Sequence, residues 1–327
     1  MKTAVCFDFD GTLGDTETPA MEVAFWEVAA YLPDLPLGDA AALHSFKQDF
    51  IQNNAGRAFE FMVEDEREKR GLPCVEEAWA VPPSDTQLLK LLDEARANFQ
   101  LPPIKEVLTA KPFPSIFIMQ KEETNMALAV ATQACDGVVD VCQTLTEEKI
   151  PFCIATTSPK PRVPISVKAA KLDAYFPPEK IHSGESDFDP PRFKPAPDVY
   201  LKAAAAENCA PGDCVAVEDS GSGVGSAANA GMGLILGYVG GSHIPADKKA
   251  SHAEMLMSGG KSEDGRGALL VVEEFRNLAS LIRVYKQDQE TGNGGKGKAG
   301  SYSFSDDVIQ KLQGRVWLPG GKVVVTN

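Results

Sequence analysis

What the 327-residue chain lacks narrows it first. It has no apolar run near the ~18 residues that cross a bilayer. Its N-terminus shows no basic segment followed by an apolar one. An unsecreted, cytoplasmic protein is expected, with a plastid location left open to a chain whose transit peptide has been removed. Positive charge is scarce: 32 Lys and Arg stand against 46 Asp and Glu, a net −14. Nucleic acid and anionic membranes both reward a basic face, so neither is expected as a partner. The seven cysteines and four histidines show neither a disulfide framework nor metal-ligand spacing. Cys209 and Cys214 resemble half a zinc site, but no second pair follows. Cysteines inside apolar runs, such as Val5-Cys6-Phe7, read as small core residues. His44, His182, His243 and His252 are read as surface or satisfied structural groups. What is present is globular: 43% hydrophobic and 24% charged residues, in a length that suits two units or one domain with a large insertion.

Several strand-like runs break abruptly into polar residues. Thr3–Phe7 ends at Asp8-Phe9-Asp10-Gly11-Thr12, Pro151–Ala155 at Thr156-Thr157-Ser158, and Cys214–Val217 at Glu218-Asp219-Ser220-Gly221. Gly233–Leu236 is a further strand candidate, and helices are expected near 137–149, 163–171, 197–207, 221–231 and 270–282. Strands alternating with helices imply an α/β fold: a mainly parallel sheet, helices on both faces, ligands at the carboxyl edge. Residues 16–130 read differently, with amphipathic pieces such as Phe59–Arg70 and Thr86–Phe99, proline breaks, and 10 basic against 19 acidic residues. They are expected to form a helical domain inserted into a core made of 1–15 and 131–285. Residues 286–327 are expected as a third region. It holds a Gly-rich linker at Thr291–Gly300, a short helix within Phe304–Leu312 and a possible strand at Lys322–Thr326. No internal repeat is visible.

The chemistry is carried by the strand ends. In Asp8-Phe9-Asp10 two carboxylates at i and i+2 can face one ligand. Acids so close repel each other unless a cation intervenes, and Mg²⁺, a hard ion that takes oxygen ligands, suits both them and a phosphate. An Asp-rich turn shaped by Gly11 is the plain alternative for this segment alone. Glu218-Asp219 supplies a second acidic pair, Lys194 lies on a proline-stiffened loop in Phe193-Lys194-Pro195-Ala196-Pro197-Asp198, and Thr156, Thr157 and Ser158 add hydroxyls. Carboxylate, hydroxyl, ammonium and carboxylate at one sheet edge suit phosphoryl transfer. A carboxylate attacks phosphorus, and the ammonium and metal stabilise the equatorial oxygens.

In order and spacing, Asp8-Phe9-Asp10-Gly11-Thr12, Thr156, Lys194 and Glu218-Asp219 resemble motifs I to IV of the haloacid dehalogenase superfamily. The resemblance covers roughly residues 3–15 and 131–283, with the helical insertion where that superfamily places a C1-type cap. Lys194-Pro195-Ala196-Pro197-Asp198, Val217-Glu218-Asp219-Ser220 and Ala227-Ala228-Asn229-Ala230-Gly231-Met232 are similar to its β-phosphoglucomutase and sugar-phosphatase branch. The resemblance implies a Rossmann-like core with Asp8 as nucleophile and Asp10 as general acid/base. It also implies Mg²⁺ held by the Asp8 carboxylate, the Asp10 backbone carbonyl and Asp219, with Glu218 direct or through water. Thr156 and Lys194 are the implied phosphoryl holders, with Thr157 the alternative to Thr156.

A dinucleotide fingerprint in Gly221-Ser222-Gly223-Val224-Gly225 fails: Ser226 stands where its last glycine belongs, and the acidic pair opposes a pyrophosphate. Ser158 lacks a nucleophile elbow. In the insertion, Arg57 of Gly56-Arg57 is the candidate grip on a distal phosphate or carboxylate, with a solvated helix-end arginine as the alternative. Thr16 and Glu17 sit at the implied hinge. The phosphomutases carry a histidine close to this point, where Thr18-Pro19-Ala20 stands here, which favours hydrolysis over a mutase. The expected protein is thus a Mg²⁺-dependent phosphatase of a small phosphorylated metabolite, a sugar phosphate first. A phosphomutase is the runner-up, and a non-catalytic binding or regulatory protein a more distant reading. A monomer or small homo-oligomer is expected, with no nucleic acid and no membrane as partner.

Overall fold

The central strand of the larger structural unit is only three residues long. β1 (Val5–Phe7) is buried on both faces and pairs in parallel with β4 (Phe152–Thr156) on one side and β6 (Val215–Glu218) on the other. A strand covered on both faces reads as a continuous apolar run, and this one does. The computed structural model describes residues 3–54, 57, 59–72, 83–292 and 302–326. Gly56, Cys74 and most of the expected Thr291–Gly300 linker lie outside them. The chain divides into one unit of 1–15 with 133–327 and a second of 16–132.

The first unit is built on an eight-stranded sheet in the order β10-β9-β8-β7-β6-β1-β4-β5. β5 (Ile181–Ser183), β4, β1, β6, β7 (Leu234–Tyr238) and β8 (Leu270–Val272) run parallel. The mainly parallel α/β core expected from the sequence is therefore present. From β1 the order steps outward to β4 and β5 on one side and to β6, β7 and β8 on the other. This reversal opens a crevice at the carboxyl ends of β1, β4 and β6, where ligands collect in such sheets.

Side chains alternate between the two faces. Val5, Phe7, Phe152, Ile154, Val215 and Val217 fill one apolar cluster, while Cys6, Cys153, Ala155 and Ala216 fill the other. Small residues on the second face meet Ala203, Ala204, Ala227 and Ala228 from helices packed against it. Close approach of those helices to the sheet is the physical consequence. A two-stranded ribbon of β2 (Gly14–Asp15) and β3 (Gln133–Ala134) marks where the chain leaves and re-enters the unit.

The carboxyl-terminal part departs from expectation. Residues 270–282 are not one helix: Leu270-Val271-Val272 is a buried strand, and the helix begins at Asn277 and runs to Thr291. Residues 286–327 are not a separate region either. β9 (Gly314–Leu318) pairs antiparallel with β8, and β10 (Lys322–Thr326) antiparallel with β9, so the hairpin extends the sheet. Val316, Trp317 and Val324 are buried in the same clusters as the core strands.

The second unit is helical. Its described helices are α1 (Glu17–Ala29), α2 (Ala40–Asn54), α3 (Phe59–Arg70), α4 (Thr86–Ala97), α5 (Ile104–Ala110) and α6 (Ile116–Ala131). Asp85 and Ser115 cap α4 and α6 by accepting from the Leu88 and Ile118 amides. Inside, Arg96 donates to both oxygens of Glu123, at 2.7 and 2.6 Å, and to the Pro102 carbonyl at 2.7 Å. Burial pushes the neighbouring Glu27 carboxyl well above the usual range, with Glu123 adding to the effect and Arg96 opposing it. No helix among the described residues is long and apolar enough to cross a membrane.

His182 on β5 gives the fold a pH signature. It is 5% exposed, and neither ring nitrogen has a hydrogen-bond partner among the described residues. Burial lowers its pKa from 6.5 to about 4, with Lys160 and Lys202 assisting and Asp187 opposing. The unfolded chain then binds a proton below about pH 6.5 that the fold refuses, so stability falls as pH drops toward 4. Chemical denaturation of His182→Leu should show a loss of stability between pH 7 and pH 5 smaller than the parent's by about 2 kcal/mol. Equal losses would remove His182 as the cause.

Candidate active site

Three strand ends of the first unit, β1, β4 and β6, and the loop that carries Lys194 bring the sequence-selected residues together. Asp8 follows β1 and is 7% exposed; its amide donates to the Val217 carbonyl at 3.0 Å, which ties it to β6. Glu218 ends β6 and is fully buried, and Asp219 follows at 5% exposure. Asp8, Glu218 and Asp219 each offer a carboxylate oxygen, and these atoms lie within 4.8 Å of one another.

Lys194 is the cation of this cluster. Its Nζ donates to Asp8 Oδ1 at 2.6 Å and to Glu218 Oε1 at 2.5 Å. Burial works against the ammonium, yet Asp8 and Glu218 outweigh it, and the pKa is raised. Burial also pushes the Asp8 carboxyl well above the usual range; Lys194 opposes this, while Glu218, Asp219 and Asp10 reinforce it. Burial raises Glu218 too, against the pull of Lys194. Tyr200, on the helix Asp198–Ala206, donates its hydroxyl to the same Glu218 oxygen at 2.6 Å, and Ser220 reaches the other oxygen at 3.3 Å. Glu218 is thereby committed to anchoring Lys194.

Asp10 faces a second group of partners. Ser158 Oγ donates to Asp10 Oδ2 at 2.6 Å, Thr156 Oγ1 lies 3.4 Å from the same oxygen, and Arg162 Nη2 donates to Oδ1 at 2.6 Å. Thr156 is fully buried at the end of β4 and accepts from the Ser158 amide at 3.1 Å. Thr157, one residue on, is half-buried. The two acids of Asp8-Phe9-Asp10 therefore sit in different environments, one against an ammonium and the other against hydroxyls and a guanidinium. Unequal surroundings allow neighbouring carboxylates unequal roles.

Two glycines make this packing possible. Gly11 turns the chain at φ +81°, and a Cβ there would strike the Asp219 carboxylate. A Cβ at Gly223, in the first turn of the helix Gly221–Asn229, would run into the Glu218 carboxyl group.

Neither Thr16 nor Arg57 belongs to this unit. Thr16 is buried at the N-cap position of α1. Arg57 is exposed and paired with Asp65 at 2.6 Å, and it also donates to Asn54 Oδ1 at 3.2 Å. The sequence reading missed Arg162, Tyr200, His243 and His252. His243 Nε2 lies 3.1 Å from Asp219 Oδ2, and His252 Nε2 donates to the Asp219 carbonyl at 2.6 Å. None follows a motif; only the arrangement of loops and helices brings them to the site.

Gly223→Ala should lower the melting temperature by several degrees, the scale of a ~1–3 kcal/mol overpacking cost. Gly212→Ala, where a Cβ meets nothing within 4 Å among the described residues, is the control. Equal melting temperatures for Gly223→Ala and parent would contradict the packing described around Glu218.

Known proteins share this arrangement of strands. A family model described as haloacid dehalogenase-like hydrolase matches residues 2–231. The chain is 31% identical over 146 residues to a probable pseudouridine-5'-phosphatase of Drosophila melanogaster. That match covers 42% of this chain and spans only 59% of the relative's length. It is 26% identical over 283 residues to a phosphorylated carbohydrates phosphatase of Thermotoga maritima, covering 85% of this chain and 99% of that one. A haloacid dehalogenase-like protein of unknown function from Agrobacterium tumefaciens has the same fold, with TM-score 0.55 at 24% identity over 87% of this chain and 99% of that one. With the family model spanning β1, β4, β5 and β6 and every residue of the carboxylate and lysine cluster, the chain belongs to the haloacid dehalogenase-like hydrolases.

Proposed function

We propose that this protein is a Mg²⁺-dependent phosphatase that hydrolyses a small phosphorylated metabolite, a sugar phosphate first, through an aspartyl-phosphate on Asp8. The observation that carries the reading is the pairing of a buried Asp8 with Lys194 at 2.6 Å, two residues from an Asp10 in separate surroundings. The names of the Drosophila and Thermotoga relatives support a phosphatase, the second a carbohydrate substrate.

The residues fit a divalent cation. Three buried carboxylates converge on one another, and a single ammonium leaves them short of positive charge. Hard oxygen donors in that number suit Mg²⁺. Asp8 and Asp219 would hold it together with the Asp10 carbonyl, and Glu218 contributes through its grip on Lys194 or through water. When bound, the ion supplies positive charge that favours the ionised Asp8 and offsets charge on the phosphoryl oxygens.

Asp8 attacks phosphorus with one carboxylate oxygen, forming a P–O bond as the bond to the substrate alcohol breaks. Asp10 gives its proton to the departing alkoxide, then takes a proton from the water that cleaves the acyl-phosphate. Ser158 and Arg162 hold the Asp10 carboxyl in place between these two transfers. The ammonium of Lys194 and the hydroxyl of Thr156, or of Thr157 beside it, bind the phosphoryl oxygens. Arg57 and Thr16, in the helical unit, stay proposals from the sequence alone for substrate selection.

Asp8→Asn should reduce phosphate release from p-nitrophenyl phosphate by about 10³-fold or more, and EDTA should silence the parent. Retention of most metal-dependent activity by Asp8→Asn would overturn the mechanism. A panel of sugar phosphates, assayed for both free phosphate and isomerised product, separates hydrolysis from mutase chemistry. Isomerisation without phosphate release would replace the phosphatase reading.

A further inference from the structure

The chemistry above uses Asp219 but neither of the histidines that meet it. His243 comes from the loop after β7 and His252 from the helix Lys249–Ser258, both outside the four motifs. We propose that His243 is a positioning residue for the metal-binding carboxylate: its imidazole N–H fixes the Asp219 side chain and so sets the affinity of the site for Mg²⁺. The inference rests on the metal reading given above and adds a residue to it.

Two contacts restrain Asp219 from different directions. His252 donates to its backbone carbonyl at 2.6 Å, which holds the main chain just past β6. The Nε2 of His243 lies 3.1 Å from Oδ2, which fixes the side-chain torsions that remain. Because a carboxylate oxygen only accepts, Nε2 carries the hydrogen in this contact.

The His243 ring itself is wedged in place. A Cβ at Gly11 would lie 2.6 Å from the ring Cε1, and a Cβ at Gly241 would lie 2.7 Å from the same atom and 2.8 Å from the Gly11 carbonyl. Only two glycines leave room for an imidazole between the Asp8–Gly11 turn and the loop after β7. The histidine thus links the turn that carries Asp8 and Asp10 to the carboxylate contributed by β6. Partners of this kind, which hold a ligand rather than the ion, change metal affinity by about 10–100-fold when removed. The cluster whose ligand atoms lie within 4.8 Å is Asp8, Glu218 and Asp219. His243 touches that cluster through Asp219, so holding this ligand is the role its geometry supports.

The test is calorimetric titration of MgCl₂ into the full chain freed of metal, without substrate, with melting temperatures of the metal-free proteins as a folding control. His243→Leu should weaken Mg²⁺ binding about 10–100-fold with the metal-free melting temperature nearly unchanged. His243→Gln, whose side-chain amide reaches the same position, should recover most of the affinity. At saturating Mg²⁺, the KM of His243→Leu for p-nitrophenyl phosphate should stay within about twofold of the parent. Parent-like Mg²⁺ affinity in His243→Leu overturns the role of His243 while leaving the metal reading intact. Equal weakening in the Leu and Gln variants, with lowered melting temperatures in both, also overturns it, because the residue then serves the fold alone. A parent that binds no Mg²⁺ overturns the metal reading and this proposal together.

Discussion

One buried ammonium holds the site together. Lys194, with its side chain 3% exposed, stands between Asp8 at 2.6 Å and a fully buried Glu218 at 2.5 Å. Removing a carboxylate from water costs several kcal/mol, and the cost is tolerable only when the group is paired and its lone pairs are used. Tyr200 and Ser220 complete that requirement for Glu218. Glu218 thus anchors the lysine, and the lysine favours the charged form of the Asp8 carboxylate. The same pair explains why residues 218 and 223 are coupled: the helix that follows β6 begins so close to Glu218 that only glycine fits at 223.

The sheet order brings these groups to one place. β1 lies between β4 and β6, so Asp8 and Asp10 emerge flanked by Thr156 and Ser158 on one side and Glu218 and Asp219 on the other. The chain between the motifs is long, but their separation in sequence matters little once three adjacent parallel strands end at the same edge. The small side chains Cys6, Cys153 and Ala216 share one face in register, and the alanine-rich helices pack there. Phe7 and its aromatic neighbours fill the other face, with ring centroids 6.3 Å from Phe152 and 6.1 Å from Phe275.

The parts legible in the sequence were those whose chemistry is local. Asp8, Asp10, Glu218 and Asp219 were visible because acidic residues interrupt apolar strands, and Lys194 because prolines stiffen the loop around it. Phe59–Arg70 was readable as a helix from its amphipathic pattern. The segment 270–282 misled because Val271, Phe275, Leu278 and Ile282 recur at helical spacing, and period alone does not separate a short buried strand from the start of a helix. β9 escaped because its five residues begin at Gly314 and run into Pro319-Gly320-Gly321, which reads as loop, while its burial comes from pairing with β8 and from packing in the core clusters. Arg162, Tyr200, His243 and His252 were illegible for a different reason. Their partners lie tens to more than a hundred positions away in the chain, except Tyr200, whose partner Glu218 is 18 residues on. Nothing in their own surroundings marks them.

The central claim is that the carboxylate paired with Lys194 becomes covalently phosphorylated. The most direct measurement is rapid acid quench of the enzyme during its first turnover of a sugar phosphate, followed by fragmentation mass spectrometry of the N-terminal peptide. The account predicts a mass gain of one phosphoryl group located on Asp8, absent in Asp8→Asn. A phosphoryl group on another residue, or complete turnover with Asp8 never modified at any quench time, would contradict it.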